Sequence, residues 1–166
     1  MSEIRIRNEM ESDSAKISDI ITVAFENDPM SDKREAVIVQ LMRDDSALTI
    51  SLVADIDDQI VGHIAFSKVT IDEQFIDWYG LAPVSIAPTH QNQGIGSILI
   101  REGIKRLKEI NAQGCVLLGE PSYYGRFGFK AHKLLVLPGI PAQYFQALSF
   151  SDKIPNGIVK YHNAFG

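Results

Sequence analysis

The chain has 166 residues, 45% hydrophobic and 22% charged, with a formal net charge of −5 and a pI near 5.3. That balance excludes a disordered chain and a nucleic-acid binder, which would need a clustered Lys/Arg excess to meet phosphates. No apolar run approaches the ~20 residues that cross a bilayer, so no membrane partner is expected, and the single cysteine, Cys115, rules out an internal disulfide. The opening Met1-Ser-Glu-Ile-Arg-Ile-Arg lacks an apolar leader, which sets the expectation of a cytoplasmic protein forming one domain over residues 1–166.

Ile4, Ile6 and Asn8 alternate with Arg5, Arg7 and Glu9, which predicts a first strand. Ser12 or Asp13 can cap a helix whose apolar positions Ile17, Ile20, Ile21, Ala24 and Phe25 follow helical spacing. After the break at residues 27–32, a second helix carries Ala36, Val37, Val39, Gln40 and Leu41. Two strands over 48–55 and 60–69 are joined by Asp57-Asp58 as a tight hairpin, and 75–87 reads as a longer strand. A helix over 94–111 and a buried strand at 116–118 follow, with Cys115 beside it as an inert thiol. Residues 123–127 read as a short helix, and 130–137, 144–150 and a final edge segment, 157–162, as strands. Lys105, Arg106 and Lys108 in the later turns of the 94–111 helix read as a solvated face that offsets the helix dipole. This order describes an α/β domain around one mixed sheet. Pro83 interrupts the 75–87 strand, and because proline cannot donate to a ladder it marks a bulge or a lapse in pairing.

The stretch from Leu81 to Ile100 runs from apolar strand to glycine-bearing turn to helix start. Backbone N–H groups from Gln91 to Ser97 have no intrahelical partner, and the helix dipole adds positive charge there, so the turn is suited to an anion. A P-loop needs Lys and then Ser or Thr after its second glycine, whereas Ser97-Ile98 follows Gly96. A dinucleotide fingerprint needs a small third residue where Leu99 stands. What remains, Gln91-x-x-Gly94-x-Gly96 directly after a strand, resembles the acetyl-CoA signature of the GNAT superfamily of N-acetyltransferases.

A second block, Glu120-Pro-Ser-Tyr123-Tyr124-Gly-Arg-Phe127-Gly128-Phe129, is similar to that family's Tyr-x-x-x-Gly-Phe motif. Together with Val61-Gly-His-Ile-Ala-Phe66, Gly80-Leu-Ala-Pro-Val84, Gln93-Gly-Ile-Gly-Ser97 and the tail Tyr161-His162, it resembles the YhbS-like group of predicted acetyltransferases over most of the chain. The resemblance implies a mostly antiparallel mixed sheet whose fourth and fifth strands splay, with helices on its faces. Pantetheine of acetyl-CoA then inserts into the gap, held by amides of Val84, Ser85 and Ile86, while Gln91, Gln93, Gly94, Gly96 and Ser97 cradle the pyrophosphate and Phe127 joins the CoA site. Tyr124 is implied as the acid that protonates the leaving thiolate, with Tyr123 as packing. For the base, Glu120 stands beside the sulfur site, though it could equally cap the short helix; Glu26 and Asp77 are weaker alternatives, and Trp78 is a candidate wall of the acceptor pocket.

The chain departs from the family where Val116, Leu117 and Leu118 replace a pantetheine-contacting asparagine. His63, His90, His132 and His162 lack ligand spacing, so no metal is expected; His63 reads as a satisfied residue on a half-buried strand. The activity implied is acetyl transfer from acetyl-CoA to a small-molecule or peptide amine. The competing readings are a catalytically silent CoA sensor and an enzyme for longer acyl-CoAs. A homodimer through the 144–150 run is the implied assembly.

Overall fold

In the computed structural model, which describes residues 3–166, the Ile/Arg alternation at the start forms β1 (Ile4–Asn8). Met1 and Ser2, part of the stretch read as lacking a leader, lie outside the described residues. β1 pairs antiparallel with β2 (Ile50–Ile56), and β2 with β3 (Gln59–Lys68). Asp57 and Asp58 at the hairpin tip have φ of 52° and 65°, the doubly positive geometry that matches strand twist in a two-residue turn.

Between β1 and β2 lie α1 (Ser14–Phe25) and α2 (Glu35–Asp44). Asp13 does not cap α1 through its side chain. Its carboxylate instead accepts from the Met10 N–H at 2.7 Å and from Arg7 at 2.7 Å. Ile17 and Ile21 of α1 pack with Val39 of α2 on Val53 of β2. The second helix corrects the expectation: Ile38, Val39 and Met42 are buried, while Val37 and Leu41 face solvent. Its sequence is apolar nearly all round, so the buried stripe is chosen by the neighbours, and Ile38 and Met42 are covered by Ala164 of the tail.

After the short β4 (Thr70–Ile71) comes β5 (Trp78–Ile86), which starts later than expected because Asp72, Glu73 and Asp77 adopt positive φ. α3 (Ile95–Glu109), β6 (Gly114–Leu118), α4 (Pro121–Tyr124) with a 3-10 turn at Gly125–Phe127, β7 (Leu135–Val136), β8 (Phe145–Ser149) and β9 (Gly157–Lys160) complete the chain. The main sheet has the order β1-β2-β3-β5-β6-β8, and only β5 and β6 run parallel within it. α3 packs on one face over Leu52, Ile64 and Phe66, and α1 and α2 cover the other.

Two expectations fail at the C-terminal end. The fold holds a second, three-stranded sheet, β4-β9-β7, in which β9 is central instead of an edge. The predicted strand over 130–137 shrinks to β7 plus Lys130, which exchanges two hydrogen bonds with Ala147. Alternation over a few residues reveals a strand but not its neighbours, which here are supplied by segments as distant as Thr70. The Lys130 pairing also occupies the outer side of β8, so that strand is not open along its length for a second copy.

Candidate active site

Pairing between β5 and β6 runs from Trp78↔Gly114 to Gly80↔Val116 and stops there, although β5 continues to Ile86 and β6 to Leu118. The fourth and fifth strands of the main sheet therefore part into a gap. On the other side of β5 the register to β3 shifts between Ile64↔Val84 and Phe66↔Leu81, so Ala82 and Pro83 stand opposite Ala65 alone. That is the bulge expected at Pro83, and the Ala82–Pro83 peptide is cis. The Ala87 N–H donates to Val61 O of β3 at 2.8 Å. Alternation then turns the amides of Val84 and Ile86 away from β3 into the gap. Ser85, expected to share this role, has its amide directed to β3 and its side chain buried. The Gln91 side chain donates to Ile86 O at 3.1 Å, at the gap's outer end.

Beyond it the anion turn has the expected geometry. Gly94 precedes α3 with φ +83°, a conformation that favours glycine, and no side chain caps the helix. The first intrahelical bond is Ile98 N–H to Gly94 O at 3.1 Å, which leaves the amides of Ile95, Gly96 and Ser97 unpaired among the described residues. Gly96 faces the gap: a Cβ there would lie 3.9 Å from Ile86 and 3.3 Å from the Tyr123 hydroxyl. Gln93 reaches only Thr89 O, at 3.5 Å, on the exposed side of the turn.

The second block folds over the same gap. Tyr124, Tyr123, Phe127 and Phe129 form an aromatic cluster, with Tyr123 and Tyr124 edge to face at 4.9 Å. Burial, and then the neighbouring Tyr123, push the Tyr124 phenol up to about 12. The Tyr124 hydroxyl makes no hydrogen bond among the described residues, and its ring lies against Gly119. Tyr123, read as packing, is the tyrosine whose hydroxyl reaches the anion turn. Two cations missed at the sequence level brace this cluster: Arg126 lies 4.6 Å over the Tyr123 ring, and Arg101 lies 4.9 Å over Phe127. Arg126 sits inside the quoted motif, whereas nothing local singles out Arg101. Lys105 and Lys108, read as a solvated face, line with Arg101, Phe127 and Phe150 an open cleft of about 710 Å³.

Glu120 is exposed at the start of α4 and caps no backbone amide; its carboxylate accepts from Ser122 Oγ at 3.3 Å. Trp78 does not line a pocket, because it is 2% exposed and packed among Val116, Leu135 and Val159. Asp77 stands just before β5 with a φ of 64°. Glu26 is exposed beyond the end of α1. Cys115 is fully buried, which pushes its thiol well above the usual range. No cluster of metal-ligating residues occurs among the described residues, and none of their helices is long and apolar enough to cross a membrane.

Residues 48–131 match the model of the acetyltransferase (GNAT) domain. The chain is also 35% identical to the uncharacterized N-acetyltransferase YhbS of Escherichia coli K12, over 96% of this chain and 97% of that one. It belongs to the GNAT acetyltransferase family. Among solved structures, a GNAT acetyltransferase from Brucella melitensis in complex with acetyl-CoA superposes with a TM-score of 0.90. It is 46% identical, with 99% of each chain covered. E. coli YhbS in complex with CoA gives a TM-score of 0.91 at 32% identity, over 99% of this chain and 93% of that one.

This GNAT domain carries a second polar centre, on β3 opposite Ser85 of β5. His63, read as a satisfied residue on a half-buried strand, is fully buried on β3 and is not satisfied at both ring nitrogens among the described residues. The Ser51 hydroxyl donates to Glu9, whose carboxylate also accepts from Arg43 at 2.7 and 2.9 Å. That hydroxyl is thereby left to accept from His63 Nε2 at 2.8 Å, while His63 Nδ1 has no partner among the described residues. Burial lowers the His63 pKa from 6.5 to about 4 against a partial opposing pull from Glu9. The unfolded chain therefore protonates this ring below about pH 6.5 while the fold resists until about pH 4. Stability is full above the upper value and is lost as the pH falls, by about 3 kcal/mol over the window. Urea midpoints should drop between pH 7 and pH 4 in the parent and drop much less in His63→Gln; equal slopes would remove His63 as the cause.

Proposed function

We propose that this chain transfers an acetyl group from acetyl-CoA to a primary amine by direct attack in a ternary complex. One observation carries the reading: amides of Val84 and Ile86 turn into a strand gap whose mouth is a helix N-terminus with three unpaired N–H groups. Pyrophosphate takes the amides of Ile95, Gly96 and Ser97, with Gln91, Gln93 and Gly94 shaping the turn. Pantetheine runs between β5 and β6, past Phe127 and the hydroxyl of Tyr123. The amides facing the gap serve as donors to the oxyanion that forms when the amine nitrogen bonds to the acetyl carbon. Collapse of that intermediate breaks the carbon–sulfur bond; Tyr124, protonated at any working pH, gives its proton to the departing thiolate, and the proton shed by the new amide nitrogen returns to the phenolate through solvent. Glu120, exposed beside α4, takes the proton of the incoming ammonium through water.

The reading treats residues 1–166 as one N-acetyltransferase domain acting in the cytoplasm, on a small-molecule or peptide amine. The test is thermal unfolding with CoA and acetyl-CoA. Ligand at about 100 times its dissociation constant adds roughly 2.7 kcal/mol, a rise of a few degrees for a domain of this size. Both should raise the melting temperature, and CoA release with an amine panel should then follow. No shift with either ligand would sink the assignment, whereas shifts without turnover on any amine would favour the silent sensor.

A further inference from the structure

Gly80 is the last β5 residue paired with β6, so it marks the closed end of the gap. Across the sheet at that level stand Ser67 on β3, Gly80 and Val116 on β6. Tyr161, immediately after β9, lays its ring directly on Gly80, where a Cβ would meet the ring at 2.5 Å. The ring is held from both ends. β9 is paired on each side, to β4 and β7, and beyond Tyr161 the His162 ring meets the Asp45 carboxylate at 2.6 Å while Ala164 packs on Ile38 and Met42. The Tyr161 hydroxyl is buried and has no hydrogen-bond partner among the described residues, and the same holds for Ser67 Oγ on the residue opposite Gly80.

We propose that Tyr161 forms the floor of the acyl pocket and sets the length of acyl group that the gap admits. The inference rests on the CoA reading of the gap. A donor whose phosphates sit at the turn after β5 runs back along that strand toward Gly80, so its acyl end arrives last and meets the Tyr161 ring. The residue is remote in sequence from both motif blocks, and the tail brings it to the closed end of the gap.

The experiment is calorimetric binding of CoA, acetyl-CoA, butyryl-CoA and hexanoyl-CoA to the parent, Tyr161→Phe and Tyr161→Leu. The parent should bind acetyl-CoA at least about tenfold more tightly than hexanoyl-CoA, since overfilling a packed site costs as much as a lost contact. Tyr161→Phe keeps the ring and should keep that profile. Tyr161→Leu should reverse it, gaining about fourfold in affinity for each added methylene that becomes buried. If the leucine variant does not fold, Tyr161→Met, whose flexible side chain refills the core yet can yield, gives the same reading. A parent that binds hexanoyl-CoA as well as acetyl-CoA, or a folded leucine or methionine variant with the parental profile, would overturn the proposal. Binding of CoA itself separates this from failure of the underlying reading, since a parent that binds no CoA overturns both.

Discussion

Tyr124→Phe is expected to lower kcat by about 10²- to 10⁴-fold, the usual worth of a positioned acid, while the dissociation constant for acetyl-CoA stays within a few-fold. The split follows from where the ring sits. Its packing against Tyr123, Phe127 and Phe129 survives the substitution, so the wall of the gap and the anion turn are undisturbed. Only the hydroxyl is lost, and it bonds to nothing else among the described residues. Burial raises its pKa to about 12, so the group remains protonated and the parent should show no loss of activity from its ionisation below about pH 11. CoA release with the best amine of a panel, measured at saturating acetyl-CoA, gives kcat, and calorimetry gives the affinity. A phenylalanine variant with parental kcat would reduce Tyr124 to packing, and the acid would then be sought at Tyr123, whose hydroxyl lies beside Gly96.

The parts of this fold that were legible in the sequence are those fixed by residues close together in the chain. Asp57-Asp58 between two alternating runs specifies its hairpin, Pro83 announces its bulge, and Gly94 and Gly96 after an apolar run specify the unpaired helix start. Each is a local conformational demand with few sequence solutions. The illegible parts depend on distant packing. Which stripe of α2 is buried is decided by Ala164, more than a hundred residues away, and β9 becomes central only because β4 and β7 close on both its sides. Trp78 looked available for a pocket, since its strand neighbours say nothing of the second sheet that buries it. A motif does not show which of the amides of Val84, Ser85 and Ile86 face which neighbour; the bond from Ala87 to Val61 turns that of Ser85 toward β3. The same limit hid the covering of Gly80 by Tyr161.

Gly96→Val should weaken CoA binding by at least about 100-fold with little change in melting temperature, and the contrast with Gly94→Ala makes the cause specific. At Gly96 a Cβ meets only the end of a tyrosine side chain and the distant edge of Ile86, so the free protein accommodates it. The branched side chain nevertheless fills the space over the amides of Ile95, Gly96 and Ser97. Losing two charge-assisted hydrogen bonds from those amides costs about 3 kcal/mol or more, which is the hundredfold. Gly94 presents the opposite case: a Cβ there touches nothing within 4 Å, but φ is +83°. Alanine at that position is strained by about 1–2 kcal/mol in the free and the bound protein alike. Gly94→Ala should therefore lower the melting temperature and largely spare affinity, as long as the turn keeps its shape. Calorimetric titration with CoA beside thermal melts of both variants reads the two effects separately. Parental affinity in a folded Gly96→Val would place the phosphates away from α3, and with them the path of the donor along β5.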